Sequence, residues 1–373
     1  MVGIYAGGMA GRHHGSLCTA VGRGRGRGRR VAGAELGAPM TARRLALRGC
    51  QIAVSIGLLA YLIVTIPMRD VFAALLSARP AWLVGGIALV GTTNLLAALQ
   101  MRSILAAQGI FFSVRQIASV NLVTDFYGLF LPSYLAGGVI RWRHFSKPEG
   151  KGAQALAAMI FSREVELVTT LGYGIVFYYL ANASVTARSA FTTLVVALTV
   201  AGLIVLISVS ARPHAALRSA LMQVGFPRRV TEGVVKVSTS LVDFGLRGRG
   251  HHLWFLALCI VRNAFGVAAF ICFARALRIA APAMDLGWIR AVLDLVLILP
   301  VSIAGLGVRD ASLVTMLGHL GVASAAALAF SFVLLARTLF VALLGGLLEG
   351  LRLYYGIPPG FVDQRLKQTT HRP

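Results

Sequence analysis

The chain is short of acid. It has 13 aspartates and glutamates against 36 lysines and arginines in 373 residues, and charged residues of both signs make up only 13%. So little charge beside 57% apolar residues excludes an ordinary soluble domain. Cysteine is scarce too. Cys18, Cys50, Cys259 and Cys272 form no CxxC pair, and two of them lie in apolar runs, so neither a disulfide framework nor a zinc site is indicated. His13-His14 and His251-His252 are adjacent pairs, which a helix turns to different sides, so metal-ligand spacing is missing as well. There is no P-loop, no GxGxxG fingerprint, no Ser/His/Asp arrangement and no pair of catalytic carboxylates. The sequence thus gives no catalytic residue, metal or cofactor, and the expectation is a protein that is not an enzyme.

What is present is long apolar sequence, with a mean hydropathy of +0.77. The net charge of +23 would suit nucleic acid in a soluble protein. A helical membrane protein, however, collects Lys and Arg in its cytoplasmic loops and beside anionic headgroups, so the expected partner is the membrane and not nucleic acid. A spanning helix needs about 20 mostly apolar residues. Long candidates are 49–67, 81–100, 153–181, 190–210, 252–277 and 322–351. Residues 1–45 are Gly/Ala/Arg-rich, with GRGRGRGRR at Gly22–Arg30, and are expected to be disordered; Met40 is an alternative start. Residues 46–355 form the expected transmembrane domain, and 356–373 the expected cytoplasmic tail.

Two further apolar stretches, 117–134 and 286–318, carry the same phrase. Leu131–Arg141 reads LPSYLAGGVIR, and Leu299–Arg309 reads LPVSIAGLGVR. Each opens on Leu-Pro, follows with Ala-Gly and closes on arginine, and each is preceded by an acid, Asp125 or Asp294. Charge in the loops bears on how these stretches cross. A full crossing at 117–134 would put Arg141, Arg143, Lys147 and Lys151 outside, against the positive-inside rule. A re-entrant hairpin broken at Pro132 keeps them inside, with a second hairpin at Pro300 entering from the other face. The expected fold is therefore an all-α integral membrane protein with about six full transmembrane helices and two re-entrant broken helices in an inverted repeat. Both termini are expected on the cytoplasmic side of the plasma (inner) membrane.

Pro132 and Pro300 remove a backbone donor and break a helix. Gly137, Gly138, Gly305 and Gly307 allow tight backbone and close approach of a ligand. Helix starts at such breaks favour anions, and Arg141 and Arg309 add a forked, permanent positive charge suited to phosphate. The alternative is that these residues only kink and anchor helices. Arg163 and Arg337 lie within spans, where a charge costs roughly 2.5–3.5 kcal/mol on insertion scales and so faces the bundle interior or a cavity. Arg163 has Glu164 and Glu166 beside it, whereas Arg337 has no acid within a turn and needs a distant partner, Asp294 or a ligand. Arg262, Asn263, Asp125 and Asp294 serve either as structural partners of these arginines or in proton relay. Gly345, Gly346 and Gly350 read as close helix packing. Arg212–Gly250 is too polar to span. Its apolar residues Val230, Val234, Val237, Leu241 and Phe244 recur at helical spacing, which makes an amphipathic helix lying on the membrane or against the bundle.

At these motifs the chain resembles the membrane domain of the lysylphosphatidylglycerol synthase family, also called flippase-like integral membrane proteins. That family shows LPGSxGGDxxR in its first half and GLGxRE in its second. Here Leu131-Pro132-Ser133 through Arg141 matches the first, and Gly305-Leu306-Gly307-Val308-Arg309-Asp310 the second. Arg163 and Arg337 match arginines that follow. Ala136 and Gly138 depart from the first motif, the latter replacing its aspartate, and Asp310 replaces the second motif's glutamate. The resemblance covers about residues 45–355 and leaves no room for the soluble aminoacyl-transferase domain of full synthases. It implies translocation or binding of an anionic phospholipid or polyprenyl-phosphate lipid between leaflets, by a homo-oligomer or beside a separate synthase. The implied substrate-binding residues are Pro132, Gly137, Gly138, Arg141, Arg163, Pro300, Gly305, Gly307, Arg309, Asp310 and Arg337. The alternatives are a glycosyl or lipid transferase acting on polyprenyl phosphate, and a non-catalytic accessory subunit.

Overall fold

Where the sequence alternates apolar runs with Pro/Gly breaks, the chain folds into helices that end at those breaks. The structure is a computed structural model that describes residues 57, 60–62, 64–130, 134–146, 150–181, 188–210, 228–245, 249–298 and 305–355. All of these belong to one compact unit, Gly49–Pro373. The segment 1–45, much of the expected span 49–67, the corners at Pro132 and Pro300, and the tail 356–373 lie outside the described residues. Every regular element among the described residues is an α-helix. In chain order they are α1 (Met68–Leu76), α2 (Pro80–Ala107), α3 (Val114–Phe130), α4 (Tyr134–Ser146), α5 (Gly152–Leu180), α6 (Arg188–Val209), α7 (Arg228–Gly245), α8 (Arg249–Ala276), α9 (Ala283–Ile298), α10 (Val308–Gly318) and α11 (Ser324–Tyr354). The chain is thus an all-α membrane protein.

Four of the described helices are long and apolar enough to cross a membrane: Pro80–Ala107, Ser189–Val209, Gly250–Ala276 and Ser324–Tyr354. With 29 residues, α5 is as long, but Arg163, Glu164 and Glu166 interrupt its apolar sequence.

Local chemistry sets the boundaries. Pro80 opens α2 at the position where a missing N–H costs nothing. Ser113 and Gln116 form a capping box at the start of α3: the Ser113 N–H donates to Gln116 Oε1 at 2.9 Å, and the Gln116 N–H to Ser113 Oγ at 3.3 Å. Both α2 and α8 end in the same left-handed cap, through Gly109 (φ 72°) and Arg278 (φ 56°). The next residue, Ile110 or Ile279, returns its N–H to Leu105 or Ala274 and is buried.

The order long helix, Asp-bearing helix, Arg-bearing helix, long helix occurs twice, as α2–α5 and as α8–α11. The pairs cross between these halves: α2 packs on α8, α3 on α11, and α9 on α5. Close approach demands small residues here. A Cβ on Gly345 of α11 would collide with the Leu122 carbonyl of α3. Gly350, which the sequence groups with it, has open space around it. The amphipathic α7 lies against the bundle, with Phe244 fully buried and stacked on Phe161 at 5.0 Å between ring centroids.

Candidate functional site: a polar cavity between the crossed helices

Helices α2, α3, α8, α9 and α11 enclose a cavity of about 220 Å³. Phe270, Phe273 and Leu334 form apolar wall, and Asn94, Asp125, Arg262, Asn263, Arg290 and Arg337 supply polar groups. Water or a ligand must meet these groups, because hydrocarbon would not.

Three of the polar groups are held in place. Arg262 pairs with Glu166 of α5 and donates to Gln100 Oε1 at 3.0 Å. Asn263 donates to Thr169 Oγ1 at 3.0 Å and accepts from Thr170 Oγ1 at 3.1 Å, which fixes both ends of its amide. Arg290 pairs with Asp294 at 3.6 Å and reaches the Asn263 carbonyl at 3.4 Å. Its guanidinium lies across Gly266, where a Cβ would come within 2.7 Å of Nη2. Asp125 and Arg337 differ: neither has a hydrogen bond or ion pair among the described residues. Asp125 stands in the combined field of Arg141, Arg163 and Arg337.

The predicted site residues divide. Arg337 lines the cavity. Arg163 lies beyond the wall, pairs with Glu166 at 3.3 Å and keeps 65% of its side chain exposed. The Nε of Arg141 is buried and has no hydrogen-bond partner among the described residues. Glu164 is turned toward α6, where it accepts from Ser208 Oγ at 2.7 Å.

Arg309 is placed differently. Its side chain is 7% exposed; Nε donates to Ser331 Oγ at 2.9 Å and Nη2 to Asp310 Oδ1 at 3.3 Å. Ser331 also bonds that carboxylate, and the N–H of Gly307 donates to its other oxygen at 2.9 Å. With Gly307 at φ 79°, this knot caps the start of α10 and ties it to α11. Neither Arg309 nor Asp310 lines the cavity. Gly305 (φ 76°) completes the turn before it. In the first motif, Gly137 is buried and lets α4 approach Thr124 of α3, and Gly138 has open space around it. Pro132 and Pro300 lie outside the described residues. No group of three His, Cys, Asp or Glu among the described residues could hold a metal.

Asn94 and Arg290 were not singled out from the sequence. Asn94 had a signal: it precedes Asp125 by 31 residues, as Asn263 precedes Asp294 by 31, so aligning the halves on these acids pairs the two. Arg290 had none, because Asn121 holds the corresponding place four residues before the acid.

Residues 50–346 match the family model described as lysylphosphatidylglycerol synthase TM region. The chain belongs to this family. No curated protein and no solved structure matches it. Membership of the lysylphosphatidylglycerol synthase TM family gives the chain a membrane, lipid-related role.

Proposed function

We propose that the protein binds the phosphate of an anionic lipid or lipid-linked carrier in the central cavity and moves it between the two leaflets of the plasma membrane. The observation that carries this reading is an excess of positive charge at membrane depth. Among the described residues, Arg141, Arg163, Arg262, Arg290 and Arg337 stand in the mutual field of three carboxylates, those of Asp125, Glu166 and Asp294. Glu166 and Asp294 are already engaged, and Arg337 and Arg141 have no partner among the described residues. A charge left so in a low-dielectric interior is costly, and a phosphate would satisfy it with forked, charge-assisted hydrogen bonds.

The crossed packing supports an inverted repeat as the device that moves the site. At 17 and 16 residues, α3 and α9 are about 25 Å long, short of a hydrocarbon core of about 30 Å. This favours re-entrant hairpins at the two Leu-Pro corners beside about six full spans, with both termini cytoplasmic. Rocking of one half against the other would expose the arginines to each leaflet in turn. The proposal contains no bond-making step, so the protein acts as a carrier rather than an enzyme.

The test is movement of fluorescent-chain phosphatidylglycerol across vesicles holding the purified chain, read by chemical quenching from outside. Arg337→Gln and Arg141→Gln are each expected to slow movement about tenfold or more, the value of one or two charge-assisted bonds. Full movement by both variants, folded as the wild type, would remove these arginines and the cavity from the function.

A further inference from the structure

The two halves hold the same pair of polar residues and use them differently. Asn94 and Asp125 stand 31 residues apart, as Asn263 and Asp294 do. In the second half both are consumed within the protein, Asn263 by Thr169 and Thr170, and Asp294 by Arg290 one turn before it. In the first half both line the central cavity, and neither has a hydrogen bond or ion pair among the described residues. The position one turn before Asp125 holds Asn121, where the other half has the arginine that occupies its carboxylate. A carboxylate only accepts hydrogen bonds, and an amide both accepts and donates. Beside Arg337, a donor for phosphate, the cavity therefore offers open acceptors. A phosphodiester is itself only an acceptor and cannot satisfy them, so the rest of the ligand must bring donors of its own.

Two kinds of headgroup put donors next to a phosphate: one with an ammonium and one with hydroxyls. The surrounding charge decides between them. Arg141, Arg163 and Arg337 all act on Asp125, and Arg262 and Arg290 line the same cavity. An ammonium would enter among guanidiniums that repel it, whereas a hydroxyl donates to the carboxylate without adding charge. We infer that the cavity selects a lipid whose phosphate bears a neutral polyol, a glycerol or a sugar, with Arg337 on the phosphate and Asp125 and Asn94 on the hydroxyls. This rests on the reading of the cavity as a phosphate site. At about 220 Å³ the cavity is smaller than the roughly 300–1,000 Å³ of pockets that enclose a whole small molecule, so it takes the headgroup and leaves the acyl chains in the membrane. Phe270 and Phe273 give the carbon skeleton of the polyol an apolar wall.

The test is native mass spectrometry of the detergent-purified full chain, titrated with three lipids that share the same acyl chains. Phosphatidylglycerol carries a diol, phosphatidylethanol has the same charge and no hydroxyl, and phosphatidylethanolamine carries an ammonium. The expected order is phosphatidylglycerol first, then phosphatidylethanol about tenfold weaker or more, since a site built for a hydroxyl rejects the analogue that lacks it. Phosphatidylethanolamine should be the weakest of the three. This order is read on the unaltered protein, so the test survives a variant that does not fold. Asp125→Leu should bring the ratio of phosphatidylglycerol to phosphatidylethanol to about one, and Asn94→Leu should lower it. Arg337→Gln should weaken both anionic lipids and keep their ratio. Equal binding of phosphatidylglycerol and phosphatidylethanol, binding of phosphatidylethanolamine as tight as that of phosphatidylglycerol, or an unchanged ratio in Asp125→Leu would each overturn the inference. If these fail while Arg337→Gln still weakens both anionic lipids, the phosphate site stands and only its selectivity falls. If Arg337→Gln changes no lipid's binding, the phosphate site falls and the inference with it.

Discussion

Arg141 and Arg309 close the same eleven-residue phrase and meet opposite fates. Arg309 is followed by Asp310, and its guanidinium is consumed by that carboxylate and by Ser331. Arg141 is followed by Trp142, and its Nε has no partner among the described residues. The long helices reverse the pattern. Arg163 finds Glu166 one turn along α5, whereas one turn along α11 from Arg337 stand Phe340 and Val341. Each half therefore holds one committed arginine and one open one, in crossed order. A repeated motif conserves position in the fold but not use: one neighbouring side chain decides whether a cation becomes a latch or remains available to a ligand.

The contrast is broken most forcefully at the latch. Asp310→Asn should leave Arg309 buried without its counter-charge and destabilise the protein by about 3–5 kcal/mol, seen as early thermal unfolding in detergent. Arg141 has no such hydrogen-bonded counter-charge among the described residues, so Arg141→Gln should unfold with the wild type while lipid movement falls. Next in size, Arg337→Gln should cut lipid movement about tenfold or more with thermal unfolding unchanged. If Arg337→Gln instead unfolds early and Asp310→Asn does not, the roles of latch and ligand group are reversed.

Smaller effects sharpen the comparison. Gly345→Ala should separate α11 from α3 and cost about 1–3 kcal/mol, because its Cβ meets backbone that cannot rotate away. Gly266→Ala meets only the tip of Arg290. Its thermal unfolding should move little, whereas lipid movement should fall a few-fold as the guanidinium is pushed aside, about 0.5–1 kcal/mol in binding. Both are read from the same pair of assays.

Much of the fold was legible. Apolar runs of spanning length gave α2, α5, α6, α8 and α11, and the twin phrases marked where shorter helices break. The amphipathic spacing at Val234–Phe244 gave α7, although not the choice between membrane and bundle, which the Phe161–Phe244 stack settles in favour of the bundle. The site was legible in part. Arg337 stood out because no acid lay within a helical turn of it, and it lines the cavity. Arg309 stood out equally, but the residue that absorbs it, Ser331, lies 22 positions away on another helix. Asn94 was legible only through the repeat and Arg290 not at all, and they meet because α2 and α9 turn them toward the same space.

By itself the sequence determined that this chain is a helical membrane protein of the lysylphosphatidylglycerol synthase TM family, built on a repeated break. Hydrophobicity, proline and glycine act locally, so their effects are written in order along the chain. Only the tertiary structure decided which arginines are spent and which are open. Charge pairing depends on distance through space, and α2 on α8, α3 on α11 and α9 on α5 bring together groups that no local spacing relates.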